Sequence, residues 1–133
     1  MDINWHDTFM NIALLIAQHS KAERNKVGAI LVKDNKIISI GYNGTPKGFN
    51  NVCEIKGKTK REVLHAESNA ITKCAKSIES SDKSTLYVTL SPCVECAKLI
   101  IQSGIVVVYY KEKYRNIEGI KLLKKAKIDV YEI

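Results

Sequence analysis

The chain has 133 residues, enough for one domain with a real core and no disulfide staples. Its 45% hydrophobic and 26% charged residues give the balance of a soluble globular protein. Apolar runs such as Ile105–Tyr110 are too short to cross a bilayer, and the start lacks a signal peptide's basic region and cleavage site. These features predict a cytoplasmic protein whose four cysteines serve metal binding, chemistry or the core, not disulfides. The net charge of +7 gathers at Lys47, Lys56, Lys58, Lys60 and Arg61, and again from Lys111 to Lys127. Such charge reads either as solvated faces or as a positive field at a site for an anionic substrate.

No repeat, low-complexity tract or linker divides the chain, so a single domain over residues 1–133 is expected. Trp5, Phe9, Ile12, Ala13, Ile16 and Ala17 recur at helical spacing and predict an amphipathic helix from about Asn4 to His19. Val27–Lys33 and Lys36–Tyr42 read as strands joined by a tight Asp34-Asn35 turn. The stretch from Asn43 to Arg61 reads as one long loop, a length that usually carries function or mobility.

A second helix is predicted to start near His65 and run through Ala70, Ile71 and Cys74. Thr85–Leu90 is a β-branched and aromatic strand, and Ser91-Pro92 after it reads as the N-cap and first residue of a third helix ending at Gly104. Ile105–Tyr110 is an apolar strand of the kind covered on both faces, Ile117–Lys127 a basic helix, and Ile128–Tyr131 a last strand. Strands joined through helices imply parallel pairing beyond the hairpin. The expected fold is a three-layer α/β/α sandwich around a five-stranded mixed sheet.

Two motifs carry the chemistry: His65-Ala66-Glu67, and Pro92-Cys93-Val94-Glu95-Cys96. In that order they match the zinc-deaminase signature H-x-E followed by P-C-x-x-C. Zinc takes nitrogen and sulfur donors tetrahedrally, and a catalytic site keeps the fourth position open for water. His65, Cys93 and Cys96 supply three donors near predicted helix N-termini, whose partial positive charge favours thiolate. Glu67, two residues beyond the histidine, is placed to act as general base toward water and then as general acid toward the ring nitrogen and leaving amine. Cys-x-x-Cys alone also suits a redox pair or half of a structural zinc site; its combination with His-x-Glu favours the catalytic reading. Cys74 falls on the apolar stripe of its helix, Cys53 lies in the loop without metal-binding partners beside it, and His6 and His19 suit surface or capping roles.

The segments Gly41-Tyr42-Asn43-Gly44-Thr45-Pro46, His65–Ile71 and Thr85–Gly104, with Lys113-Tyr114 after the fourth strand, resemble the cytidine and deoxycytidylate deaminase family over nearly the whole chain. The resemblance implies conversion of dCMP to dUMP with one catalytic Zn2+, and it leaves 5-modified dCMP or a base in a polynucleotide as alternative substrates. It implies substrate contacts at Asn43 (the sugar), Thr45, Ala66 (pyrimidine O2, with Glu67 at N3), Ser91 and Tyr114 (the 5′-phosphate). It further implies a hexamer, activation by dCTP and inhibition by dTTP, with the effector held around Asn25, Lys26, Val27, Gly41 and Gly44. The loop lacks the cysteine/histidine-rich insertion of some relatives, so a single zinc is expected. A single Trp, distant in sequence at Trp5, argues against a single-stranded nucleic acid partner.

Overall fold

The computed structural model describes residues 4–133. Helix α1 (Trp5–Ala17) begins where the Asn4 side chain accepts the His6 N–H at 2.7 Å, supplying one of the first turn's missing partners. It leads to the antiparallel pair β1 (Gly28–Lys33) and β2 (Lys36–Tyr42). Asp34 and Asn35 both have positive φ, 53° and 61°, as a tight two-residue hairpin turn demands.

The loop after β2 is not wholly irregular. It contains a second small hairpin, β3 (Glu54–Ile55) and β4 (Lys58–Thr59), turned by Lys56 and Gly57 at φ 53° and 75°. Strands of two residues leave no alternation to read, so the expectation of an unstructured loop is corrected here.

The remaining elements are α2 (Ala66–Ala75), β5 (Thr85–Leu90), α3 (Val94–Gln102), β6 (Val107–Glu112), α4 (Glu118–Lys125) and β7 (Asp129–Glu132). Gly104, at φ 83°, closes α3 in the left-handed conformation typical after a helix end. The start of α3 departs from the sequence reading: its N-cap is Cys93, so Ser91 does not cap it and Pro92 precedes it. The fourth strand is also displaced toward the C-terminus. Ile105 is buried before the strand begins, and a continuous apolar run carries no mark of where pairing starts.

The main sheet has the order β2-β1-β5-β6-β7, with β1 antiparallel to both neighbours and β5, β6 and β7 parallel. The mixed five-stranded α/β/α sandwich expected from the sequence is therefore observed. Side chains alternate across it with the period of a strand. Ala29, Leu31, Leu86, Val88, Val108 and Tyr110 join the core under α2, α3 and α4. Ile30, Val32 and Tyr87 face the other way and bury Phe9, Met10 and Ala13 of α1. Tyr87, Tyr109 and Tyr131 stack in a row across β5, β6 and β7, and His6 Nδ1 lies 2.6 Å from the Tyr87 hydroxyl.

The helix that carries His65 and Glu67 lies backbone-close to the sheet. A Cβ built on Gly41 would overlap the Ala66 carbonyl oxygen and stand 2.5 Å from Ala70 N. Gly41→Ala is therefore predicted to push α2 off β2 and to cost about 1–3 kcal/mol, seen as a lower urea midpoint. Gly44→Ala, three residues on, serves as its control: the added Cβ meets nothing nearer than 4.0 Å, and the midpoint should hold.

Candidate active site

Three donor atoms meet where two helices begin. His65 is the N-cap of α2 and Cys93 the N-cap of α3; both have extended backbone, and neither side chain makes a capping hydrogen bond. Both side chains turn instead toward a common point, where Cys96 joins them from the first turn of α3. His65 Nδ1 lies 3.5 Å from Cys93 Sγ and 3.4 Å from Cys96 Sγ, and all three donors fall within 4.8 Å of one another. A tetrahedral zinc with its usual bond lengths needs nitrogen and sulfur donors about 3.6 Å apart. The set fits zinc in donor type, number and spacing. Among the described residues it is the sole cluster of this kind.

The sulfurs share a proton when no cation is bound. Cys93 is pulled down to about 3, chiefly by the hydrogen bond from Cys96 and then by His65, while Cys96 is pushed far up by that same hydrogen bond and by burial. His65 is raised, first by its hydrogen bond with Cys93. A dication on the three donors displaces that proton, because thiolate and not thiol is the ligand.

Glu67 sits in the first turn of α2 with only 4% of its surface exposed, and burial pushes its carboxyl up to about 7. Ala66, wholly buried, brings its backbone to the same wall. The ligand helix is held from behind by another close approach. A Cβ on Gly119 of α4 would overlap the Pro92 carbonyl oxygen and stand 2.7 Å from the Cys93 carbonyl carbon.

From this centre opens a cleft of about 620 Å³. Of the residues singled out in sequence, His65, Glu67, Cys93, Ala66, Asn43, Ser91, Tyr114, Asn25 and Val27 line it. Cys96, buried behind Cys93, does not, nor do Thr45, Lys26, Gly41 and Gly44. Thr45 donates its hydroxyl to the Asn50 carbonyl, Gly41 lies under α2, and Gly44 bridges to Leu64. Asn43 is braced on both sides: its Oδ1 accepts the Val27 N–H at 2.9 Å and its Nδ2 donates to the Asn25 carbonyl at 2.7 Å. Ser91, freed from capping, accepts the Tyr114 N–H at 2.7 Å and so fixes that residue at the cleft.

Several lining residues were not marked by any motif: Ala22, Arg24, Glu54, Thr59 and Val63. Arg24 and Glu54 stand 30 positions apart and meet only through the fold. Lys113 and Arg115 beside Tyr114, within the basic Lys111–Lys127 stretch, had signalled positive charge at the cleft.

A buried carboxyl beside a three-donor metal centre, on the α2 and α3 starts of a mixed sheet, defines the class of zinc-dependent hydrolytic deaminases. The family profile described as "Cytidine and deoxycytidylate deaminase zinc-binding region" matches residues 3–112, and the chain belongs to that family. It is 39% identical to ComE operon protein 2 of Bacillus subtilis over 86% of this chain and 62% of that protein, just under two thirds of the relative's length. It is 43% identical to the deoxycytidylate deaminase of Mus musculus over 87% of this chain and 70% of the mouse protein. Among solved structures, the dCMP deaminase of cyanophage S-TIM5 in complex with dCMP and dUMP superposes with a TM-score of 0.96. It has 45% identity and covers 100% of this chain and 99% of its own.

The donor geometry predicts one tightly held zinc per chain. His65→Ala and Cys96→Ala should emerge from purification with little zinc by atomic absorption, whereas Cys53→Ala and Cys74→Ala, whose sulfurs stand outside the cluster, should keep it.

Proposed function

We propose that this chain hydrolyses the 4-amino group of dCMP, yielding dUMP and ammonia, and that the described chain acts as one deaminase domain. The observation that carries the reading is the pairing, in one cleft, of the three-donor centre and buried Glu67 with the basic side chains Arg24, Lys113 and Arg115. A cytosine nucleotide has the matching polarity: a reactive amine on the base and a dianionic phosphate at the far end.

Bound zinc would supply a Lewis acid that makes water a usable nucleophile near neutral pH. The chain's own groups do the rest. Glu67 takes a proton from the attacking water and returns it to N3 of the ring; a further transfer through the same carboxylate lets the amine depart as ammonia. The backbone at Ala66 meets the pyrimidine O2, Asn43 holds the sugar in an orientation set by Asn25 and Val27, and Tyr114, anchored by Ser91, receives the phosphate. Thr45 supports the loop through Asn50 and not by lining the cleft.

Regulation, assembly and location follow from the same reading. The segment from Asn25 to Val27, Lys26 included, is tied to Asn43, so a nucleotide such as dCTP or dTTP held there, near Gly41 and Gly44, would act on a substrate contact. Exposed Phe49, Val52 and Ile55 leave apolar surface for subunit contact in a hexamer. The four free cysteines suit a reducing cytoplasm; no helix among the described residues is long and apolar enough to cross a membrane.

Product analysis tests the reaction. Zinc-loaded protein is offered dCMP, deoxycytidine, dCTP and a short cytosine-bearing DNA strand, with and without dCTP as effector. Conversion of dCMP in preference to the rest is expected; inert dCMP beside a deaminated oligonucleotide would sink the substrate assignment. Glu67→Gln should retain zinc while kcat falls by about 10²–10⁴-fold.

A further inference from the structure

The segment between α1 and β1 lines the cleft, yet it contains no helix or strand of its own. Side-chain hydrogen bonds hold it. Ser20 accepts the Ala22 N–H and donates its hydroxyl to the Asn43 carbonyl, and Asn43 closes the other end through Asn25 and Val27. The middle is held by a single group from the β3–β4 hairpin. Glu54 Oε2 accepts the backbone N–H of Glu23 at 2.9 Å and that of Arg24 at 3.3 Å.

That contact sets where Arg24 stands. Glu54 is itself fixed, because it opens β3 and pairs with Thr59 across the hairpin. Arg24 shares the cleft with Lys113 and Arg115, and none of the three is engaged in an ion pair among the described residues. Glu54 lies in the same cleft, so a carboxylate stands beside the cations that would receive an anion. On charge alone it opposes phosphate binding; its two backbone bonds are the reason to keep it there.

We propose that Glu54 is a positioning residue: by holding the Glu23 and Arg24 amides it sets the Arg24 guanidinium to read the phosphate of the nucleotide, in the cleft it shares with Lys113 and Arg115. This rests on the proposed dCMP reading and adds the means of selecting a phosphorylated substrate over a nucleoside. Arginine suits the task because its planar fork donates two hydrogen bonds to one phosphate group.

The charge and positioning roles predict opposite signs, which makes the test decisive. Binding of the product dUMP and of deoxyuridine to zinc-loaded protein is measured by calorimetry, alongside KM and kcat for dCMP. Glu54→Ala is expected to weaken dUMP and raise KM for dCMP about tenfold, the scale of one weakened charge-assisted hydrogen bond, with deoxyuridine binding and kcat unchanged. Glu54→Gln keeps an amide oxygen to accept the two N–H groups and should bind dUMP at least as tightly as the wild type. Adding Glu54→Ala to Arg24→Ala should cost nothing more.

Tighter dUMP binding in both Glu54 variants would reduce the residue to a charge and overturn the proposal. Equal losses for dUMP and deoxyuridine would make Glu54 a general support of the fold, and the positioning role would fall. Wild type that binds dUMP no better than deoxyuridine also overturns it. Wild type that shows the phosphate preference but leaves dCMP unreacted overturns only the catalytic reading.

Discussion

Two helices in this protein begin on side chains given over to a metal centre. An N-cap is ordinarily Ser, Thr, Asp or Asn, whose oxygen satisfies a free amide of the first turn. Here the positions belong to His65 and Cys93, neither of which closes such a bond. The cost is acceptable only because the donors converge, with Cys96, on geometry that suits one dication. The surrounding structure serves that convergence. Gly41 lets α2 lie against β2, and Gly119 lets α4 lie against the Pro92-Cys93 backbone, so both ligand-bearing helix starts are set by backbone-to-backbone approach. Such contacts have little freedom to relax, which is what a site accurate to fractions of an ångström requires.

Polar groups outside the metal centre follow a related logic. Two stretches of irregular backbone that line the cleft are each held by one side chain from a distant segment: Ser91 for Tyr114, Glu54 for residues 23 and 24. Asn43 commits both ends of its amide to residues 25 and 27. The loops that line the cleft are thus cross-braced without a disulfide, in keeping with four free cysteines.

How much of this could be read beforehand follows from the range of each interaction. Thr85–Leu90 was legible to the residue because β-branched and aromatic side chains with turn residues at both ends are a local signal. Asp34-Asn35 was legible because few residues tolerate positive φ. The metal donors were legible because a helical turn converts the Cys93–Cys96 spacing into proximity. Ser91-Pro92 misled because the local capping signal is sound chemistry overridden by a tertiary demand: the hydroxyl goes to Tyr114 and the cap to a ligand. Glu54 and Arg24 carry no local mark, since what relates them is a pair of backbone hydrogen bonds across 30 positions.

The strand order has a kinetic side. His65 is placed by α2, which lies on β2 and β1; Cys93 and Cys96 follow directly from β5. These two halves meet through the antiparallel pairing of β1 with β5, which joins Ala29 to Val88 across nearly half of the chain, and through the packing of α2 beside α3. Closing so long a loop is among the slower events in folding a domain of this size. Bringing His65 to the two cysteines therefore needs long-range contacts, whereas the Cys93–Cys96 pair is local. Donors set by long-range pairing in a chain with core on both faces of its sheet contrast with small zinc modules, which are unfolded until their ion arrives.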